Sequence, residues 1–154
     1  MLWSALPLAA PGQLPALVTP QRILLVEDNL VNRRLATMML HRAGHAVDVA
    51  TNGRDAVRLA GAARYDVILM DAQMPEMDRH EATREIRRGE RTGQHVPIIA
   101  LTARVLEGDR EKCLAAGMDD YMTKPVGQTE LIEAVARWAR LQPEGSSDRR
   151  ASAR

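Results

Sequence analysis

The sequence predicts an α/β fold, a doubly wound five-stranded parallel sheet with helices on both faces. Five short apolar runs lie between residues 21 and 141, and they lack the polar alternation of half-exposed strands. Such runs are typical of strands that are buried on both faces. Amphipathic stretches separate the runs, so strand and helix alternate five times, which is the pattern of a parallel sheet with crossover helices.

The five predicted strands are short and rich in β-branched residues, which favours strands over helices. In chain order they cover residues 23–26, 46–50, 67–70, 98–101 and 121–122. The second run is weaker than the others.

Between the strands, apolar residues recur every three to four positions, and this spacing predicts five helices. The first contains Val31, Leu35, Met38 and Met39, and Gly44 follows it as the residue expected to end it. We expect the two adjacent methionines to belong to the core.

The second predicted helix contains Ala56, Leu59 and Ala60 and is expected to end before Gly61. Gly117 is expected to close the fourth helix in the same way. The third, fourth and fifth helices are predicted around residues 82–87, 105–116 and 131–138.

Charge and cysteine content exclude several classes of protein. The formal net charge of +1 gives no global attraction to nucleic acid or to an anionic membrane. No stretch approaches the roughly 20 apolar residues of a membrane span. The single cysteine, Cys113, excludes an intramolecular disulfide, is compatible with a reducing cytoplasm and is expected to be a small packing residue.

Composition divides the chain into three segments. Residues 1–20 are rich in Pro and Ala and are predicted to be a linker, whereas residues 21–141 form the predicted domain. Residues 142–154 are small, polar and basic, and we expect them to be a disordered tail.

Polar residues follow four of the five predicted strands. Glu27 and Asp28 follow the first strand, and Asp71 follows the third. Thr102 follows the fourth strand, and Lys124 comes shortly after the fifth. Because open parallel sheets bind ligands at the carboxyl ends of their strands, we expect these side chains to converge.

Three carboxylates that lie close together repel one another and require a cation. Oxygen ligands without His or Cys favour Mg²⁺ over Zn²⁺. Lys124 and Thr102 can contact the oxygens of a phosphate, and an Asp carboxylate is a known nucleophile that forms an aspartyl-phosphate. Asp71 fits that role best, because its apolar strand fixes it and the other two acids flank it as metal ligands.

The segment from about 22 to 141 resembles the receiver domains of response regulators. The resemblance covers roughly four-fifths of the chain, with its motifs in the right order and spacing. The matching strings are LVEDN at 25–29, ATNG at 50–53, YDVILMDAQMP at 65–75, PIIALTA at 97–103, AGMDDY at 116–121 and KP at 124–125.

This resemblance implies a flavodoxin-like (βα)5 fold with strand order 2-1-3-4-5. It makes Asp71 the residue that is phosphorylated from a phosphohistidine, with Mg²⁺ as the cofactor. Glu27 and Asp28 would bind the ion together with Asp71 and the backbone carbonyl of Gln73. Lys124 would contact the phosphoryl group.

The resemblance also implies a conformational switch. Thr102 would move toward the phosphoryl group, and the ring of Tyr121 would then turn inward and change the surface of the fourth helix, fifth strand and fifth helix. The Lys124–Pro125 peptide is expected to be cis.

Further motifs resemble the receivers that are fused to hybrid sensor histidine kinases. They are VEDN at 26–29, EATR at 81–84 and GDREKC at 108–113, while LWSALPL at 2–8 resembles the closing strand of a kinase ATP-binding domain. The chain would then be a C-terminal receiver that exchanges phosphoryl groups with a histidine kinase domain or a histidine phosphotransfer domain. It would work in the cytoplasm, with an inner-membrane sensor kinase as a parent, and homodimerisation stays open.

Such a chain would be a phosphoacceptor with slow self-dephosphorylation rather than an enzyme. A freestanding regulator and a phosphorylation-independent interaction module are the alternatives. An aspartyl phosphohydrolase would need a second acid two residues after the nucleophile, where Gln73 stands. A nucleotide- or flavin-binding protein would need a phosphate loop where Glu27 and Asp28 stand, and these acids would repel phosphate.

Two positions depart from the family's usual pattern. Arg79 stands where glycine is usual, so a positive φ there would cost about 1 kcal/mol or more; a shifted loop with an extra cation near the acids is the other interpretation. Arg104 stands where Asn is frequent. We expect Arg104 and Gln73 to lie near the path of the hydrolytic water and to set the lifetime of the aspartyl-phosphate.

Overall fold

Five strands and five helices alternate along the chain in the computed structural model, which describes residues 19–71, 79–102, 109–124 and 126–140. The strands are β1 (Arg22–Val26), β2 (Ala46–Ala50), β3 (Val67–Asp71), β4 (Ile98–Thr102) and β5 (Asp120–Thr123). The helices are α1 (Leu30–Arg42), α2 (Gly53–Ala62), α3 (Arg79–Arg88), α4 (Asp109–Ala116) and α5 (Gln128–Arg140).

All neighbouring strands pair in parallel, and their order across the sheet is β2-β1-β3-β4-β5. The predicted fold class and strand order are therefore confirmed. Every residue of β3 and β4 is buried, whereas β2 and β5 are the edge strands of the sheet and are largely half-buried. The second predicted strand is weakly apolar because it is an edge strand and is only partly buried.

The sheet separates two apolar layers, because successive side chains of a strand point to opposite faces. Leu24 and Val26 pack on one face in a cluster that includes residues of α2, α3 and α4. Ile23 and Leu25 pack on the other face with residues of α1 and α5. Cys113 is buried in the first cluster, as expected for a packing residue.

Helix ends follow the sequence signals, with one exception. Asn29 caps α1 by accepting a hydrogen bond from the Asn32 N–H at 2.9 Å, and Gly44 follows the helix with φ +93°. The prediction that α2 ends before Gly61 is wrong, because the helix continues to Ala62. A helical glycine costs only about 1 kcal/mol relative to alanine, and the helix-favouring alanine that follows continues the helix past it.

The predicted core position of Met38 is also wrong. Ala36, Met39 and Leu40, spaced by three and four residues, face the sheet and α5. The side chains of Leu30, Val31, Leu35 and Met38 are instead exposed on the outer surface of α1. α1 therefore has two apolar stripes, and only one of them can face the core.

The fourth helix was expected to begin near residue 105, and residues 103–108 lie outside the described residues. Within the described ranges, none of the helices combines the length and the hydropathy that a bilayer crossing needs.

Candidate functional site

Three carboxylates meet at the carboxyl edge of the sheet, as predicted. One oxygen from each of Glu27, Asp28 and Asp71 lies within 4.8 Å of the others. Glu27 and Asp71 are 2% and 5% exposed, whereas Asp28 is open to solvent. The site is thus an acidic cluster with a buried floor and one exposed acid.

The strands hold these acids in place. Asp71 is the last residue of β3 and pairs in register with Leu101 of β4. Glu27 directly follows β1, and its N–H donates to the Ala50 carbonyl at 3.0 Å, which extends the sheet hydrogen bonding by one residue. The Glu27 carboxylate also accepts a hydrogen bond from the Asn29 N–H at 3.2 Å.

Lys124 reaches into the acidic cluster from the loop after β5. Its Nζ lies 2.7 Å from Asp71 Oδ1 and 3.1 Å from Glu27 Oε1. Its backbone N–H donates to the Thr102 carbonyl at 2.6 Å, so the end of β4 positions the lysine.

The cluster carries more negative than positive charge. Burial raises the pKa of Glu27, and the neighbouring Asp71 raises it further, although the Lys124 hydrogen bond opposes the shift. Burial lowers the pKa of Lys124, but its hydrogen bonds to Asp71 and Glu27 outweigh burial and raise it overall. One lysine charge thus faces three carboxylates, and this all-oxygen donor set fits a hard divalent cation such as Mg²⁺.

Thr102 and Tyr121 lie on the neighbouring strands β4 and β5. Tyr121 pairs in register with Ala100, two residues before Thr102, so both side chains are on the face of the sheet that α3 and α4 cover. Thr102 is buried, and Tyr121 is half-buried. The predicted switch pair therefore shares one face of two adjacent strands.

Several predicted residues lie outside the described residues. Gln73, Arg104 and the Lys124–Pro125 peptide are among them, since residues 72–78, 103–108 and 125 are not described. The condition for strain at Arg79, a positive φ, is not met, because Arg79 begins α3 and no described residue other than glycine has a positive φ.

Sequence reasoning missed two arginines near the site. Arg33 Nη1 lies 3.4 Å from the Glu27 carbonyl oxygen, and the position of Arg33 one turn after the Asn29 cap was the available signal. The guanidinium carbon of Arg110, in the first turn of α4, lies 5.9 Å from the centre of the Tyr121 ring. Nothing in the sequence alone indicates that Arg110 and Tyr121 are in contact, because they come from different elements.

Comparison with known proteins agrees with this geometry. The family model described as the response regulator receiver domain matches residues 23–136. The chain belongs to this family. It is a receiver domain of phosphorylation-based two-component signalling, homologous to the receivers of hybrid histidine kinases.

Two solved receivers are similar over nearly their whole length. The receiver of the sensor histidine kinase PA1611 from Pseudomonas aeruginosa, with magnesium coordinated in its active-site cleft, is 50% identical, with a TM-score of 0.73 over 79% of this chain and 99% of that one. The Saccharomyces cerevisiae Ssk1 receiver, solved with the histidine phosphotransfer protein Ypd1, is 32% identical, with a TM-score of 0.76 over 82% of this chain and 94% of that one.

A curated relative is a much longer protein. The probable histidine kinase 1 of Oryza sativa subsp. indica is 39% identical, in an alignment that covers 76% of this chain and 15% of the kinase. The chain thus spans about one-seventh of the length of that relative.

Proposed function

We propose that Asp71 of this receiver takes the phosphoryl group from a phosphohistidine, in a phosphorelay. The observation that carries the proposal is the placement of the buried Asp71 carboxylate 2.7 Å from Lys124 Nζ, inside a cluster of three acids at the carboxyl edge of the sheet. An oxygen of Asp71 forms a bond to phosphorus while the N–P bond of the phosphohistidine breaks. The imidazole nitrogen keeps the electron pair of that bond.

Lys124 has two roles in this proposal. Before transfer it offsets part of the charge on Asp71 and Glu27, which it contacts together. After transfer the same ammonium group is within reach of a phosphoryl oxygen on Asp71, where it would stabilise the added negative charge. Slow self-dephosphorylation would then return the carboxylate.

Glu27, Asp28 and Asp71 would hold Mg²⁺, and the carbonyl of Gln73 completes the proposed protein ligands. When bound, the ion offsets the negative charge of the acids and of the incoming phosphoryl oxygens. Burial and the neighbouring Asp71 carboxylate raise the pKa of Glu27, and a bound cation would oppose both effects.

Thr102 and Tyr121 would report the modification to the surface. Their shared face supports a coupled movement in which the Thr102 hydroxyl approaches the phosphoryl group and the Tyr121 ring turns into the space that it leaves. The outcome is a shift between two populated states that a local charge biases.

The phosphoryl donor or recipient that fits this surface best is a histidine phosphotransfer domain. The exposed apolar stripe of α1 begins at Leu30, two residues after Asp28, so it lies beside the acidic cluster. A pocket of about 350 Å³ joins the two, with Glu27 and Lys124 at one side and Leu35 of the stripe at the other. The similarity to the Ssk1 receiver, which was solved with such a partner, supports the same choice.

Phosphotransfer from a phosphorylated histidine phosphotransfer domain tests this docking surface. Leu35→Asp or Val31→Asp should slow transfer about tenfold or more, because each places a charge in an apolar contact. The matched control is Leu114→Asp on α4, since Leu114 and Leu35 are both 46% exposed. Equal effects at Leu114 and Leu35 would contradict the assignment. Labelling by acetyl phosphate should stay unchanged in Val31→Asp and Leu114→Asp, because neither residue lines the pocket beside the acidic cluster.

We further propose that the domain, residues 21–141, works in the cytoplasm as a receiver of a hybrid sensor histidine kinase, with residues 1–20 as the linker that precedes it. The curated histidine kinase relative supports this origin. A gene that encodes a freestanding regulator would contradict it.

A further inference from the structure

The ring of Tyr121 has a cationic neighbour on α4. The Arg110 guanidinium carbon lies 5.9 Å from the ring centre, within the distance of about 6 Å at which a cation is attracted to an aromatic face. Arg110 is exposed and Tyr121 is half-buried, so the contact lies at the surface between α4 and β5. It joins the helix and the strand that the proposed switch would move relative to each other.

The backbone of Tyr121 is fixed from the opposite side. The Asp120 carboxylate accepts hydrogen bonds from the Tyr121 N–H at 2.8 Å and from the Trp138 indole N–H of α5 at 3.1 Å. Arg137 forms an ion pair with the same carboxylate at 3.4 Å. Because α5 holds the main chain through Asp120, the ring can move by rotation about its side-chain bonds. The ring packs against the first apolar cluster, and Arg110 is the cation that lies over it.

We propose that Arg110 is a positioning residue of the switch, which holds the Tyr121 ring on the α4 side and opposes the state in which the ring turns toward Thr102. This inference rests on the proposed function of Asp71 and Tyr121. The ring leaves the guanidinium when it turns inward, so the attraction stabilises only the outward state. Arg110 therefore sets the fraction of unphosphorylated molecules that already adopt the inward state.

Linkage gives this inference a measurable consequence. If a phosphoryl group on Asp71 favours the inward ring, the inward ring must favour the phosphoryl group by the same factor. Removal of the Arg110 contact should thus tighten binding of a phosphoryl mimic at Asp71, although β4 separates the strand of Asp71 from the strand of Tyr121. An exposed cation–π contact corresponds to about a twofold to fivefold change.

The test combines two readouts on the whole chain. The first is the ¹⁹F spectrum of protein labelled with 3-fluorotyrosine, in which the Tyr121 signal is assigned by Tyr121→Phe, since Tyr65 is the only other tyrosine. The second is the apparent affinity for beryllofluoride in the presence of Mg²⁺. The variants are Arg110→Ala and Arg110→Lys, with Lys112→Ala as a control that removes an exposed positive charge from the same helix.

Arg110→Ala should shift the Tyr121 signal and tighten beryllofluoride binding twofold to fivefold, while Lys112→Ala changes neither. Arg110→Lys should fall between wild type and alanine. In a Tyr121→Ala background the Arg110 substitution should have no further effect. An unchanged Tyr121 signal, or the same gain in affinity without the ring, would overturn the inference. A wild-type protein that binds no mimic would instead overturn the proposed function, and the inference with it.

Discussion

The two ends of the sheet both gather charged side chains, but they differ in their charge balance. At the carboxyl end, three carboxylates share one lysine. At the amino end, the Arg87 cluster (Arg87, Glu90 and Asp119) joins the end of α3 to the segments before β4 and β5. The carboxyl end has one lysine for three carboxylates. At the amino end, each of the three guanidinium nitrogens of Arg87 has a hydrogen-bond partner.

The hydrogen bonds of Arg87 show how this cluster is held together. Its guanidinium lies 2.7 Å from a carboxylate oxygen of Glu90 and 2.7 Å from one of Asp119. It also donates to the carbonyls of Val96 at 2.7 Å and Gly117 at 2.9 Å. Such a satisfied network is expected to stabilise the fold, whereas an unbalanced cluster is expected to bind a ligand that restores the balance.

The largest expected effect comes from removing the arginine of the Arg87 cluster. Arg87→Met should lower the free energy of unfolding by about 3 kcal/mol, because it removes the guanidinium from two largely buried carboxylates. Urea denaturation measures the change. The control is Arg88→Met, which removes an exposed pair with Glu85 and should cost no more than about 0.5 kcal/mol. Equal losses in the two variants would show that the cluster has no special role in stability.

A smaller change in the free energy of unfolding, of the opposite sign, is expected at the carboxyl end of the sheet. Asp28→Asn should raise the free energy of unfolding by about 1 kcal/mol in EDTA, because it removes one of three mutually repelling charges. The same variant should lose most of the stabilisation that Mg²⁺ gives the wild type, about 2.7 kcal/mol at a hundredfold excess over Kd. Urea denaturation with EDTA and with Mg²⁺ separates these effects. A variant that is less stable in EDTA, and just as stabilised by Mg²⁺, would refute the contrast between the two ends.

The smallest effect concerns a titratable group at the amino end. Burial lowers the pKa of His45 from 6.5, although Asp66 opposes the shift, and His45 Nδ1 accepts a hydrogen bond from the Gln21 N–H at 2.9 Å. Below pH 6.5 the unfolded chain binds a proton at this histidine that the folded chain does not yet bind. The stability that His45 contributes is thus complete above pH 6.5 and declines as the pH falls below it.

His45→Asn provides the comparison, because an amide oxygen can accept the same hydrogen bond. The wild type should lose stability relative to this variant as the pH falls below 6.5, by at most about 1.4 kcal/mol per pH unit. Chemical denaturation between about pH 7.5 and 5.5 measures the difference. A difference that stays constant, or that changes in favour of the wild type at low pH, would contradict a neutral buried His45.

Much of this contrast was predictable from the sequence. The strands are continuous apolar runs, and the acids directly follow them, so the position of Asp71 and Glu27 at one edge followed from the topology of parallel sheets. The Arg87 cluster was not predictable, because Arg87 and Asp119 are 32 residues apart and their pairing depends on tertiary packing.

The surface of α1 shows a second limit of sequence reasoning. Its two apolar stripes have the same helical spacing, and only the packing against the sheet and α5 decides that Met39 is covered while Met38 is exposed. The contact of Arg110 with Tyr121 has the same origin, since α4 and β5 approach each other only in the folded domain.

The central claim is that the charge imbalance at the carboxyl edge serves phosphorylation of Asp71. Intact mass after incubation with acetyl phosphate, with and without Mg²⁺, tests it most directly in the wild type and in Asp71→Asn. We predict a gain of one phosphoryl group that requires Mg²⁺ and is absent from the variant. A folded wild type that gains no mass, or a variant that gains the same mass, would contradict the account.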